Sequence, residues 1–174
     1  MNITLHKAMP EDVENVFRII KERIVWMDFV GLKHWNTKGY LDVFPIEYYR
    51  EQQIRGTLYV ARDTSMVKIT GVVVLLDVDA SWPDRLDTDA IYIHNFATDV
   101  QMTGVGRMML TEIEKIAKEK GKRYLRLDCD EENAFLNDYY QEKGFILQEG
   151  KSRLGSYTGN RLEKDLWKSN GFDK

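Results

Sequence analysis

A chain of 174 residues, 43% of them hydrophobic and 30% charged, has the make-up of one globular domain large enough to bury a core. Its 25 basic and 28 acidic residues leave a formal net charge of −3, which supplies no basic footprint for nucleic acid. No apolar run approaches the roughly 20 residues that span a bilayer, no secretion signal opens the chain, and the single Cys129 excludes an internal disulfide, so a cytoplasmic protein with no membrane attachment is expected.

Asn2–His6 alternates as a first strand. Pro10 then opens a helix, since proline suits the first helical position and Glu11 and Asp12 favour its positive end. Val13, Phe17, Ile20 and Ile24 recur at helical spacing and are expected to face the core. From Asp28 to Phe44 the pattern breaks into a glycine-punctuated loop rich in aromatics, and Pro45 starts a second short helix through Ile54. Thr57–Ala61 and Val67–Val78 read as strands about the turn-prone Arg62–Met66. The connection Asp79–Asp89 contains Trp82-Pro83. Asp77, Asp79, Asp84, Asp87 and Asp89 there either attract a cation or merely solvate a hairpin connection. Ala90–Thr98 is a further strand, followed by a glycine turn and a helix from Gly104 to about Lys120. Arg123–Cys129 is a strand and Glu132–Glu142 a helix, while Phe145–Gln148 and Arg161–Trp167 form a last pair of strands. With no repeat or linker, this order indicates a mixed α/β sheet in a single domain, 1–174.

The turn Gln101-Met102-Thr103-Gly104-Val105-Gly106 carries the most information. Glycines two residues apart let the backbone bend tightly and leave its N–H groups uncovered where a helix begins. The first N–H groups of a helix lack intrahelical partners and carry the positive end of its dipole, so an anion such as a phosphate is their natural occupant. A P-loop needs Gly-Lys-Ser/Thr, and Arg107-Met108 stands here instead; a dinucleotide fold needs a third glycine. The spacing Gln-x-x-Gly-x-Gly resembles the acetyl-CoA pyrophosphate loop of the GNAT family of N-acetyltransferases. A second stretch strengthens the resemblance: Asn133, Tyr140, Gly144 and Phe145 match that family's helix, in which a tyrosine follows an asparagine by seven residues and Gly-Phe closes the segment.

The resemblance implies an α/β (α+β) fold with a mostly antiparallel sheet flanked by helices, splayed between the strand ending at Thr98 and the strand around Arg123–Cys129. It also implies an acyl-CoA-dependent enzyme. Acetyl-CoA serves as acyl donor, and a primary amine of a small molecule attacks it directly in a ternary complex. A peptide amine as acceptor, another acyl-CoA, or a non-catalytic acyl-CoA sensor are the alternatives, and a monomer or homodimer is expected. The amides of Met102, Thr103, Gly104, Val105, Gly106 and Arg107 would hold the pyrophosphate, with the side chains of Gln101 and Arg107 nearby; Arg107 is equally readable as a solvated helix residue. Backbone at Phe96, Ala97 and Thr98, where the family often has Leu-Ala-Val, would pair with the pantetheine arm as a peptide adds to a sheet, and would offer an oxyanion donor.

Asn133 would bind the cofactor. Tyr140 either protonates the departing thiolate or packs along the cofactor tunnel. An amine with pKa about 10.4 needs a base, and a histidine with reference pKa about 6.5 suits that task. The run Tyr92-Ile-His94-Asn-Phe-Ala is similar to the histidine-bearing strand of arylalkylamine N-acetyltransferases. His94 holds one of their two histidine positions and Tyr92 the other, so His94 is read as the base or as a hydrogen-bonded core residue. Phe29, Trp35 and Tyr40 either wall an acceptor pocket or form a packed lid. His6, His34, His94 and Cys129 make no spaced ligand cluster, so no metal is implied, and Cys129 reads as a packing residue.

Overall fold

The computed structural model describes residues 2–65, 68–85 and 89–168. Strand β1 spans Ile3–Lys7. A single 3₁₀ turn at Pro10–Asp12, tied by the Met9 amide donating to Asp12 Oδ2 at 2.9 Å, leads into helix α1, Val13–Phe29. Its buried face is Val13, Val16, Ile19, Ile20 and Met27, a stripe at helical spacing; Phe17 and Ile24, expected in the core, are half-buried. The helix runs past Asp28 to Phe29, is capped at Val30 and is followed by Gly31, whose φ of +70° suits glycine. One helical turn, α2 (Tyr40–Val43), interrupts the expected loop, and α3 (Ile46–Ile54) follows Pro45. The remaining elements are β2 (Leu58–Asp63), β3 (Ile69–Leu76), β4 (Ala90–Thr98), α4 (Val105–Glu119), β5 (Tyr124–Asp130), α5 (Ala134–Glu142), β6 (Ile146–Leu154) and β7 (Tyr157–Asp165). The expected start of the second strand at Val67 lies outside the described residues.

Seven strands lie in the order β1-β2-β3-β4-β5-β7-β6. The ladders β1–β2, β2–β3, β5–β7 and β6–β7 are antiparallel, and β4–β5 is parallel. That parallel ladder joins Ala90–Tyr92 to Tyr124–Arg126. The last two strands are longer than their sequence suggested. Strand β6 is an edge strand with most side chains exposed, so it carries no apolar alternation for a pattern to reveal. No helix among the described residues is long and apolar enough to cross a membrane.

Packing divides the chain into two compact units, Met1–Leu75 with His94–Ile113, and Leu76–Ile93 with Glu114–Lys174. In the first unit α4 lies on β3 at Gly71, where an added Cβ would collide with Met109 Sδ and stand 3.2 Å from Ala97 O. In the second, Arg126 is 1% exposed and pinned between rings, 5.6 Å from the Trp82 centroid and 5.5 Å from that of Tyr92. Its Nε donates to Glu163 at 2.7 Å and its Nη1 to Tyr92 Oη at 2.8 Å, so the buried charge is paired and hydrogen-bonded. Arg161 donates to Asp84 at 2.7 Å, and Lys122 meets Asp77 at 3.0 Å. Asp79 Oδ1 accepts from the Ser81 amide at 2.8 Å, so Asp77, Asp79 and Asp84 each have a protein partner; Asp87 lies outside the described residues.

Candidate functional site

In the first unit, the glycine turn is built on a residue that the sequence pattern did not single out, Asp99. It is 2% exposed, and its own amide donates to Thr70 O at 2.9 Å. Its Oδ1 accepts from the Gln101 amide at 2.9 Å and its carbonyl from the Met102 amide at 3.2 Å, while Lys68 Nζ stands 2.6 Å from Oδ2. Burial pushes the carboxyl up, but the bonds from Lys68 and the Gln101 amide and the charges of Lys68 and Arg18 outweigh it and hold the pKa below the usual value. One residue earlier, Arg23 of α1 donates to Thr98 O at 2.6 Å and to Thr98 Oγ1 at 2.8 Å, with its guanidinium 4.9 Å from the Trp26 ring. Burial lowers the Arg23 pKa against the opposing charge of Asp99. The bond from the Gln101 amide is a local Asx-turn contact, whereas burial and the meeting with Lys68 and Thr70 come only with the tertiary fold.

Beyond this base the loop is open. Gly104 has φ +80°, and a Cβ there would meet nothing within 4 Å. Val105 is fully buried and anchors the helix start, and Gly106 sits half-buried in its first turn. Met108 donates to Gly104 O at 3.3 Å, so the amides of Val105, Gly106 and Arg107 precede the helix's own ladder, at its positive end. The Met102 amide, expected among the anion donors, is already engaged by Asp99. The side chains of Gln101, Thr103 and Arg107 are exposed.

Strand β4 alternates in burial: Ile93, Asn95 and Ala97 are buried, and His94, Phe96 and Thr98 are half-buried on the other side. His94 and Phe96 thus share the less buried side, as period two predicts. Asn95 departs from a regular strand with φ +50°. Its Oδ1 accepts from Tyr48 Oη at 2.9 Å and its Nδ2 donates to Tyr40 Oη. Burial raises the Tyr40 pKa to about 12 and that of Tyr49 higher still, so both hydroxyls stay protonated. Trp35 and Tyr40 are brought together, stacked at 4.3 Å, and the rings continue through Phe44 at 4.8 Å and Tyr48 at 4.9 Å. Phe29, the last residue of α1, stands 87% exposed.

In the second unit, Asn133 caps α5: its Oδ1 accepts from the Leu136 amide at 3.0 Å. The residue is 6% exposed and its Nδ2 has no protein partner among the described residues. Tyr140 is 7% exposed, with its ring 5.6 Å from Phe145 and 5.4 Å from Tyr139. Burial, reinforced by Cys129, Tyr139 and Asp128, pushes its pKa well above the tyrosine range, so the hydroxyl carries its proton at neutral pH. Cys129 is 4% exposed with a thiol pushed up to about 12 by burial and then by Asp128 and Asp130, which leaves a packing residue rather than a nucleophile. Tyr92 belongs to the buried Arg126 cluster, its hydroxyl accepting from Arg126 Nη1. No group of three or more His, Cys, Asp or Glu among the described residues could hold a metal.

The model of the acetyltransferase (GNAT) family matches residues 26–145. Among solved structures, an acetyltransferase of that family from Listeria monocytogenes 4b F2365 shares 20% identity over 94% of each chain, with a TM-score of 0.76. PaiA N-acetyltransferase from Thermoplasma acidophilum, solved in complex with coenzyme A, shares 20% identity over 95% of this chain and 99% of its own, at 0.71. YncA from Salmonella typhimurium, solved with its cofactor acetyl-CoA, shares 16% identity over 97% and 96%, at 0.63. No curated protein sequence matches the chain.

Proposed function

Because the chain belongs to the GNAT family of acetyltransferases, we propose that it moves the acetyl group of acetyl-CoA to a primary amine of a small molecule, by direct attack in a ternary complex. The observation that carries this reading is the turn after β4, where Asp99 holds the loop base and the first amides of α4, ahead of the helix's own ladder, lie beside an unencumbered Gly104. The fit extends to Asn133, whose buried Nδ2 is a donor awaiting an acceptor. Structures solved with coenzyme A and acetyl-CoA among the similar folds support the same ligand.

In this reading the amides of Thr103 through Arg107 hold the pyrophosphate, and the backbone of Phe96, Ala97 and Thr98 meets the pantetheine arm. The free amine attacks the thioester carbon, a β4 amide receives the oxyanion, and collapse breaks the C–S bond. Oxyanion donors of this type are worth about 2.7–4 kcal/mol. Tyr140 gives its proton to the leaving sulfur, and His94, directly or through water, takes the proton the amine sheds. Trp35 and Tyr40 shape the acceptor side, with Phe29 at its exposed margin.

Thiol release from acetyl-CoA against polyamines, aryl-alkylamines, aminoglycosides, amino acids and peptides tests the proposal. Turnover with one small-amine class is the expected result. Turnover only with peptides would reassign the acceptor, and coenzyme A binding without turnover on any amine would leave a sensor.

A further inference from the structure

Asn95 breaks the strand it belongs to. It lies midway along β4, 8% exposed, and is the one non-glycine residue with a left-handed backbone among the described residues. A left-handed residue within a strand has the geometry of one class of β-bulge, and Asn tolerates it better than most residues with side chains. Such conformations persist where the surroundings over-determine them.

Here the surroundings are tyrosine hydroxyls. Tyr48 of α3 donates to Oδ1 at 2.9 Å, and Nδ2 donates to Tyr40 of α2. Tyr49 Oη, 3.3 Å from Tyr40 Oη, closes the group. Both ends of the carboxamide are therefore held by the segment that follows α1, the same segment in which Trp35 and Phe44 stack on Tyr40. A strand needs no such clamp to pair with its neighbours. The clamp acts on backbone direction between His94 and Phe96.

We infer that Asn95 is a positioning residue for acyl transfer: the tyrosine clamp fixes the left-handed turn of β4 and so aims the amides beside it at the acyl carbonyl. The inference rests on the proposed role of β4 as the strand that receives the acyl donor. Asn95 itself touches no substrate. Because Tyr40 and Tyr48 belong to the ring stack proposed for the acceptor side, an acceptor that shifts those rings shifts the amides as well.

The test compares Asn95→Ala, Asn95→Gly and Tyr48→Phe with wild type, by thiol release from acetyl-CoA with the best amine of the panel and by calorimetry with coenzyme A. Measurements are made well below each variant's unfolding midpoint. Alanine opposes the turn and lacks the amide, so kcat should fall about a hundredfold, as misplacement by about 1 Å does. Glycine readopts the turn without the clamp, and Tyr48→Phe keeps the turn with half of it, so each should fall only about tenfold. Coenzyme A affinity should hold within about threefold in all three, against the much larger losses that a collapsed site produces. An unchanged kcat in Asn95→Ala, or a fall in kcat matched by an equal loss of coenzyme A affinity, would overturn the inference while leaving the acetyltransferase reading intact. A wild type without turnover on any amine would overturn that reading and this inference together.

Discussion

Replacing Asp99 by alanine isolates what the loop base contributes. The carboxylate is 2% exposed, accepts from the Gln101 amide at 2.9 Å and faces Lys68 at 2.6 Å. A hydrogen bond to a charged group is worth about 1.5–3 kcal/mol, and the half-exposed Lys68 adds at most about 1 kcal/mol, so Asp99→Ala should cost about 2–3 kcal/mol of stability. Affinity for coenzyme A should also fall, although loss of a negative charge by itself would favour an anion. Without the Asp99 bond, Gln101 to Thr103 must be ordered when the ligand arrives, at about 1 kcal/mol for each residue, which bounds the loss near a hundredfold. Asp99→Asn keeps an acceptor for the Gln101 amide and should recover most of that affinity. Urea unfolding measures the first quantity and calorimetry with coenzyme A the second. The folded-state pKa of Asp99 lies below its unfolded value, so its charge contributes stability that is present above the unfolded value of about 3.9. That contribution is lost as pH falls through the folded value. The asparagine variant should therefore show a flatter decline in stability below about pH 4. Coenzyme A affinity unchanged in a folded Asp99→Ala protein would refute the claim that this residue pre-forms the loop.

Other substitutions separate the remaining roles. Gly106→Val places a branched side chain in the first turn of α4 and should weaken coenzyme A binding strongly with the domain still folded; calorimetry showing wild-type affinity would remove the phosphate-loop assignment. Tyr140→Phe keeps the ring against Phe145 and removes the proton, so kcat should fall by a moderate factor, roughly 10²–10⁴ at most, while Tyr139→Phe does much less. Equal rates for Tyr140→Phe and wild type, with chemistry rate-limiting, would exclude the hydroxyl from the mechanism. His94→Ala should depress the rate most at low pH and shift the acidic limb of the profile, whereas a superimposable profile would return His94 to a packing role.

What the sequence disclosed and what it hid divide along the range of the forces involved. The turn and α4 were legible because local chemistry makes them: glycines, helix formers, and the apolar residues Val105, Met109, Leu110, Ile113 and Ala117 on one face. The helix that Asn133 caps and that carries Tyr140 was legible from a local motif. Asp99 escaped because its function depends on Lys68 and Thr70, which precede it by about thirty positions and meet it only once β3 and β4 are folded. Asn95 escaped for a related reason. Period two describes its neighbours well, and only tyrosines about fifty positions earlier, Tyr40 and Tyr48, hold its backbone out of the regular strand. Strand β6 stayed half hidden because an exposed edge writes no alternation. Arg161, expected only as the first residue of a strand, is buried where Ser81 and Asp84 meet it, a pairing that no local pattern announces.

The bare backbone at Gly71 sets a dimension. Met109 occupies the space a side chain there would fill, with Ala97 O close beside it, so the height of α4 above the sheet is determined at one point, a single turn from the helix's leading amides. Those amides are rigidly attached to the residue resting there, since 1.5 Å of rise separates each position from the next. Whatever lifts Met109 lifts the amides of Val105, Gly106 and Arg107 with it. The height of the proposed anion loop is thus set from beneath, on β3, by a residue with no side chain beyond hydrogen.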